Sequence, residues 1–206
     1  MTPEQQKFYD IKKTTDYKVV GDDIDYKVLV DHDKEEVVLQ FEETDSRADW
    51  RHNLDILPWP LKLGNKTVWT TRGYARAYKS ALDIPRNELI TVYAKHLNYR
   101  LCIRGWSYGS AMAKITQRHM EIMGYTVDEL TTYGDVKCWL NPFYWAKAKK
   151  VREYTTPNDM VTWCVPLFHR DAKCQVGPRF SIKELFHSDH YHQSYEEYDY
   201  TIWEEL

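Results

Sequence analysis

The sequence predicts an α/β fold, with a mostly parallel central sheet flanked by helices. Three observations carry this. Short apolar or alternating runs recur along the chain. Segments rich in helix formers separate the later runs, and strands that alternate with helices are the pattern of parallel strands joined by crossovers. Finally, 43% of the 206 residues are apolar, enough for one sizeable core, so residues 1–206 are read as one domain.

Residues 1–17 suit a polar helix. Asp25-Tyr26-Lys27-Val28-Leu29-Val30 alternates, and Glu36-Val37-Val38-Leu39-Gln40-Phe41 is a short apolar run. The charged Asp31–Glu35 segment between them suits a hairpin turn. Residues 44–66 read as loop-rich, with Pro58, Pro60 and Gly64 as breakers. Gly73–Leu82 reads as a helix, and Pro85-Arg86-Asn87-Glu88 opens another. Arg100–Arg104 is a compact strand, followed by a strong helix over Ser110–Met123. Val127–Tyr133 reads as a strand, Asn141–Lys149 as a helix, and Lys150–Thr155 as a strand that ends at Thr156-Pro157-Asn158-Asp159. From Phe180 the tail is rich in His, Tyr and acids.

The chemistry rests on Gly105-Trp106-Ser107-Tyr108-Gly109, which fits G-x-S-x-G. That motif needs a sharp turn from strand to helix, lifting a serine hydroxyl above the sheet edge on a strained backbone. The glycines let neighbouring backbone pass without a Cβ clash. The helix then starts at the nucleophile, and its N–H groups and positive dipole end face a developing oxyanion. A Gly/Ser turn without chemistry would share the pattern. The apolar strand before it and the long helix after it favour the chemical reading.

A serine needs a base, and the base needs an acid to orient it. Asp159 follows a strand in a Pro-Asn-Asp turn, although that placement also suits a cap or an Asx-turn. The late histidines are His169, His187, His190 and His192. Three in six positions would also suit a metal. That reading ranks lower, because no partner cluster has metal-ligand spacing, and Cys102, Cys138, Cys164 and Cys174 form no C-x-x-C pair. No metal and no cofactor are expected.

The order of these segments resembles the class 3 lipases, the fungal-type triacylglycerol lipases, over roughly residues 25–200. Val37–Ser46 leading into Ala48-Asp49-Trp50 and Asn53-Leu54-Asp55 is similar to the family's oxyanion strand and the stretch after it. Val68–Tyr74 with Tyr78 looks like its His-x-Gly-Phe element and helix. Gly105–Ser110 matches the elbow, Thr132-Tyr133-Gly134 echoes the next strand, Tyr154–Val161 resembles the acid segment, and His192-Gln193-Ser194-Tyr195 fits His-x-x-Tyr. The resemblance implies a small α/β-hydrolase that cleaves carboxylic esters through an acyl-enzyme. Ser107 would be the nucleophile, His192 the base (His190, after Asp189, the alternate) and Asp159 the acid. The amides of Tyr108 and Thr44 would form the oxyanion hole. A lipase-fold binding protein without turnover is the alternative.

Departures from the family pattern bear on the site. Glu42-Glu43 stands where the family has Arg-Gly, Trp106 and Tyr108 flank the serine where it has His and Leu, and Ser110 replaces a glycine. The aromatic pair predicts a bulkier pocket. Residues 50–66 fall where the family carries a lid, and Ile56–Leu61 suits either a lid or core packing. The net charge of −3, with scattered Lys and Arg, gives no nucleic-acid footprint. No apolar run reaches membrane-spanning length and no leader is seen. The expectation is a cytoplasmic protein whose partner is a small-molecule or lipid ester, with transient lipid-surface contact, no nucleic acid and no transmembrane segment.

Overall fold

A computed structural model describes residues 16–21, 24–42, 55–141, 147–155 and 167–169. In chain order the elements are β1 (Lys18–Val20), β2 (Ile24–Asp31), β3 (Glu36–Phe41), β4 (Pro58–Leu63), β5 (Lys66–Thr71), α1 (Arg72–Ala81), α2 (Asp83–Tyr93), β6 (Arg100–Trp106), α3 (Tyr108–Ile122), β7 (Glu129–Tyr133) and β8 (Lys150–Tyr154). Six strands form one sheet in the order β1-β2-β3-β6-β7-β8, and β4 pairs with β5 separately. β1–β2 and β2–β3 are antiparallel, whereas β3–β6, β6–β7 and β7–β8 are parallel. The parallel part holds the strands that matter for the site.

Local chemistry explains the elements. The β2–β3 hairpin turns through residues 32–35, where the Lys34 amide donates to Asp31 Oδ1 at 2.9 Å and Glu35 takes φ 52°. α1 is capped by Thr71, whose Oγ1 accepts from the Tyr74 amide at 3.2 Å. Its first residues also meet the preceding chain, with Gly73 N donating to Asp55 O (3.0 Å) and Arg72 Nε donating to both Asp55 oxygens (2.9 and 2.8 Å). Pro85 sits in the first turn of α2, where a missing N–H costs little.

The two faces of the sheet differ. Val37, Leu39, Phe41, Leu101, Ile103 and Leu130 join Ala111, Met112 and Ile115 of α3 in the main core. Strand alternation puts Glu36, Gln40, Arg100, Cys102, Arg104 and Glu129 on the other face. There Arg100 donates to Glu36 and to Glu129, and Arg104 donates to Glu36, each at 2.7 Å. Glu36, Arg104 and Glu129 are buried, so these charges meet each other instead of water. Cys102 lies among them, and burial, then the Glu36 carboxylate, pushes its thiol up to about 12. It is an inert thiol at neutral pH.

Two expectations are corrected. Pro58 and Pro60 do not break structure in the loop-rich 44–66 stretch, since Pro58–Leu63 is strand β4 and pairs with β5 through a Gly64-Asn65 turn. Only the first of these two turn residues has positive φ (Gly64, 55°), the arrangement a type II′ hairpin takes. The helix expected over Asn141–Lys149 does not reach those bounds: Asn141 and 147–149 are irregular, while 142–146 lie outside the described residues. Leu140 N donates to Trp69 O at 3.1 Å, which ties the chain just before Asn141 to β5. The polar helix expected over residues 1–17 falls almost wholly outside the described residues.

Candidate active site

The site grows from the end of β6. Trp106 is the last strand residue, Tyr108 the first of α3, and Ser107 alone makes the turn, at φ 49° and ψ −117°. No L-residue favours that backbone, which costs of order 1–3 kcal/mol when held. What holds it is on both sides. Ser107 N donates to Tyr133 O at 2.8 Å, and Ser110 N closes the first helical turn onto Ser107 O at 2.9 Å.

The two glycines are required by contact. A Cβ on Gly105 would lie 2.3 Å from Gly109 O and 2.9 Å from Ala113 Cβ, so strand and helix touch there. A Cβ on Gly109 would lie 2.8 Å from Glu42 O and 2.9 Å from Phe41 O. The helix start is thus pressed against the end of β3, the strand that runs on towards Thr44. The Glu42 amide is itself tied to Asp25 O at 3.1 Å, which fixes this strand end.

The aromatic neighbours are absorbed by packing. Trp106 stacks on Tyr133 (centroids 5.8 Å apart, planes at 17°) and Tyr133 on Tyr154 (4.8 Å, 11°). These three residues are register partners across β6, β7 and β8, so the rings form a ladder at the carboxyl ends of the parallel strands. Tyr108 tilts against Tyr74 at 5.9 Å. Ser107 itself is only 2% exposed. Ser110, in place of a second glycine, accepts from Val136 N through its Oγ at 3.2 Å.

Of the residues expected in the site, Ser107 stands at the turn, and Tyr108 puts its amide in the first position of the helix. Thr44, Asp159, His190 and His192 lie outside the described residues, as does His187. The rings of His32, His96 and His119 are engaged elsewhere. His32 Nδ1 bonds the Tyr99 hydroxyl at 3.0 Å, and His96 packs on both rings. His169 pairs through its backbone with Trp139. His119 accepts from Arg86 at 2.8 Å and bonds Tyr78. It lies twelve residues along α3 from Ser107, roughly 18 Å by helical rise. Burial first, and then Arg86, lowers its pKa to about 4.

The segment where a lid was expected divides. Leu61 and Leu63 are buried under the hairpin, while Trp59 is 40% exposed with Arg72 over its ring at 6.0 Å. Residues 50–54 lie outside the described residues. Sequence reasoning missed Lys114, a buried helix lysine two turns beyond Ser107. Its partners Asp135 and Glu153 are distant in sequence, so no local signal marks it.

A serine on a strained strand-to-helix turn, at the carboxyl edge of a sheet of this order, is the backbone arrangement found in an α/β-hydrolase fold. Comparison with known proteins agrees. The model of the class 3 lipase family matches residues 38–168. A fungal lipase in complex with an inhibitor, solved as a model for interfacial activation, superposes with a TM-score of 0.68 at 15% identity, covering 80% of this chain and 68% of that one. The mono- and diacylglycerol lipase of Aspergillus oryzae gives 0.63 at 17% identity, with 82% and 62% covered. The triacylglycerol lipase of Penicillium expansum gives 0.60 at 16%, with 84% and 78% covered. Across eight such structures the chain spans 52–78% of their length. No curated protein matches the sequence. The chain belongs to the class 3 lipase family.

Proposed function

We propose that this protein hydrolyses carboxylic esters, with lipid esters as the substrate class, through an acyl-enzyme on Ser107. The observation that carries the reading is the Ser107 backbone, held at φ 49° between two glycines whose contacts leave no room for a side chain. Strain of this kind persists only where the surroundings enforce it.

In the proposed mechanism Ser107 Oγ attacks the ester carbonyl, and His192, with His190 as alternate, takes its proton. Asp159 holds the imidazole tautomer. The oxyanion accepts from the amides of Tyr108 and Thr44, each such donor being worth about 10²–10³ in rate. The protonated histidine returns its proton to the leaving alcohol, and water repeats the sequence to release the acid. Two features support these roles. β8 ends at Tyr154, the register partner of Tyr133, whose carbonyl holds the Ser107 amide, and Asp159 follows shortly after in the chain. The rings of His32, His96 and His119 bond or pack elsewhere, which favours a base from later in the chain.

Contact with a lipid surface fits the β4–β5 hairpin. Ile56, Leu57, Trp59 and Trp69 are exposed there. Lys62, Lys66, Arg72 and Arg76 lie in the same stretch, against the single acid Asp55. Tryptophan with Lys and Arg is the composition of a membrane-interface face.

A second reading, a lipase-fold binding protein without turnover, is favoured by the 2% exposure of Ser107 and by Glu42 beside the oxyanion strand. One experiment decides. Wild-type protein should hydrolyse short nitrophenyl esters and label with a fluorophosphonate, and Ser107→Ala should abolish both. A folded wild-type protein that does neither overturns the hydrolase reading.

A further inference from the structure

Ser107, Ser110 and Lys114 follow at helical spacing, and so form one stripe along α3. All three grip the chain at and just beyond the end of β7. Ser107 N donates to Tyr133 O at 2.8 Å, and Ser110 Oγ accepts from Val136 N at 3.2 Å. Lys114 Nζ donates to Asp135 Oδ2 at 2.8 Å and to Val136 O at 2.7 Å. The same ammonium lies 3.2 Å from Glu153 Oε1 on β8, and Asp135 N donates to Tyr154 O, also at 3.2 Å. The side chains of Lys114, Asp135 and Glu153 are 0% exposed.

Taking a lysine and two carboxylates fully out of water is costly, and such a set is weak evidence of stability for its own sake. Its geometry points to another use. Among the described residues the ammonium meets partners on two elements, Asp135 and Val136 just after β7 and Glu153 on β8. It therefore fixes the helix that carries the nucleophile against two strand ends. One of them, at Tyr154 and Thr155, leads directly to the acid segment.

We propose that Lys114 is a positioning residue, whose ammonium sets the separation between Ser107 and the chain leading to Asp159. The proposal rests on the ester-hydrolase reading for its effect on turnover, and on the geometry above for the clamp itself. A misplacement of about 1 Å is enough to cost on the order of 10² in rate.

The test is the neutral triple variant Lys114→Met/Asp135→Asn/Glu153→Gln. Removing all three charges together avoids the unpaired buried charge that Lys114→Met alone would leave. The expected result is a melting temperature close to wild type, kcat on a soluble nitrophenyl ester lowered about 10–100-fold, and KM within about twofold. A well-folded triple variant with wild-type kcat overturns the proposal, because a merely structural cluster would behave that way. Should the triple variant not melt cooperatively, Glu153→Met carries the same test, since it keeps the lysine bonded to Asp135 and Val136 and removes the acceptor on β8. Its kcat should fall at least about threefold with KM unchanged, and wild-type kcat again overturns the clamp.

Amide hydrogen exchange reads the clamp without turnover. Exchange should quicken over 133–136 and 150–155 while β2 and β3 keep their protection. Unchanged exchange overturns the clamp. Faster exchange there, in a protein whose wild type hydrolyses no ester and takes no fluorophosphonate, supports the clamp and overturns the hydrolase reading alone.

Discussion

Replacing Ser107 by glycine should make the protein more stable than replacing it by alanine, although both remove the Ser107 hydroxyl. The backbone at φ 49° and ψ −117° is the mirror image of an extended conformation, open to glycine and strained for any residue with a Cβ. Alanine keeps the Cβ and hence the strain, about 1–3 kcal/mol. Glycine releases it but gains freedom in the unfolded chain, an opposing effect of about 0.5–1 kcal/mol. The difference leaves Ser107→Gly ahead of Ser107→Ala by about 1 kcal/mol, or about 2–4 °C in melting temperature at this chain length. The assay is a pair of melts under identical buffer, followed by circular dichroism, with urea titration for the free energies. An alanine variant that melts at or above the glycine variant would show that the turn stores no strain, and the argument built on it would fail.

Other outcomes follow from the same structure. Gly105→Ala should cost about 2–3 kcal/mol in urea unfolding, because its new methyl would stand 2.3 Å from Gly109 O and backbone cannot step aside. Gly109→Ala should also destabilise, through its approach to Glu42 O, and should lower turnover by moving the helix start away from β3. Acid should weaken the fold through His119. Its pKa is lowered in the folded state, from 6.5 to about 4, so the unfolded chain binds the extra proton. Stability from this ring is fully present above about pH 6.5 and is lost as pH falls towards 4, by about 2 kcal/mol after allowing for solvent screening at a half-buried ring. His119→Gln, which keeps an acceptor for Arg86, should flatten stability across that window. An unchanged pH profile in the variant would place the acid sensitivity elsewhere.

Much of the parallel sheet was readable because its strands and helices are locally consistent. β6, the elbow and α3 follow each other as an apolar strand, a glycine-flanked serine and a run of helix formers. The β4–β5 hairpin was hidden by Pro58 and Pro60, which normally argue against a strand. They are tolerated because the hairpin stands outside the main sheet, with both prolines exposed while Leu61 and Leu63 alternate inward. The bounds of the helix expected over Asn141–Lys149 rest on composition alone, and Asn141 is irregular next to Leu140, whose amide bonds Trp69 O. Within the site, Ser107 and Tyr108 were legible from a five-residue pattern. Lys114 was not, because a lysine on a helix reads as a solvated residue until the fold brings Asp135 and Glu153 to it from two other elements.

The central position of β3 has a consequence for how the chain is made. One edge of β3 is satisfied at once by β2, but its other neighbour is β6, and the first register pair, Glu36 with Arg100, is separated by 64 residues. At about 5–20 residues per second, a ribosome takes roughly 3–13 s to deliver that partner. Throughout this interval the Val37-Val38-Leu39 edge of the nascent hairpin has no strand to receive it, and an open apolar edge recruits other chains. Synthesis arrested before residue 100 should therefore yield aggregates, and slow translation through α1 and α2 should reduce the soluble yield.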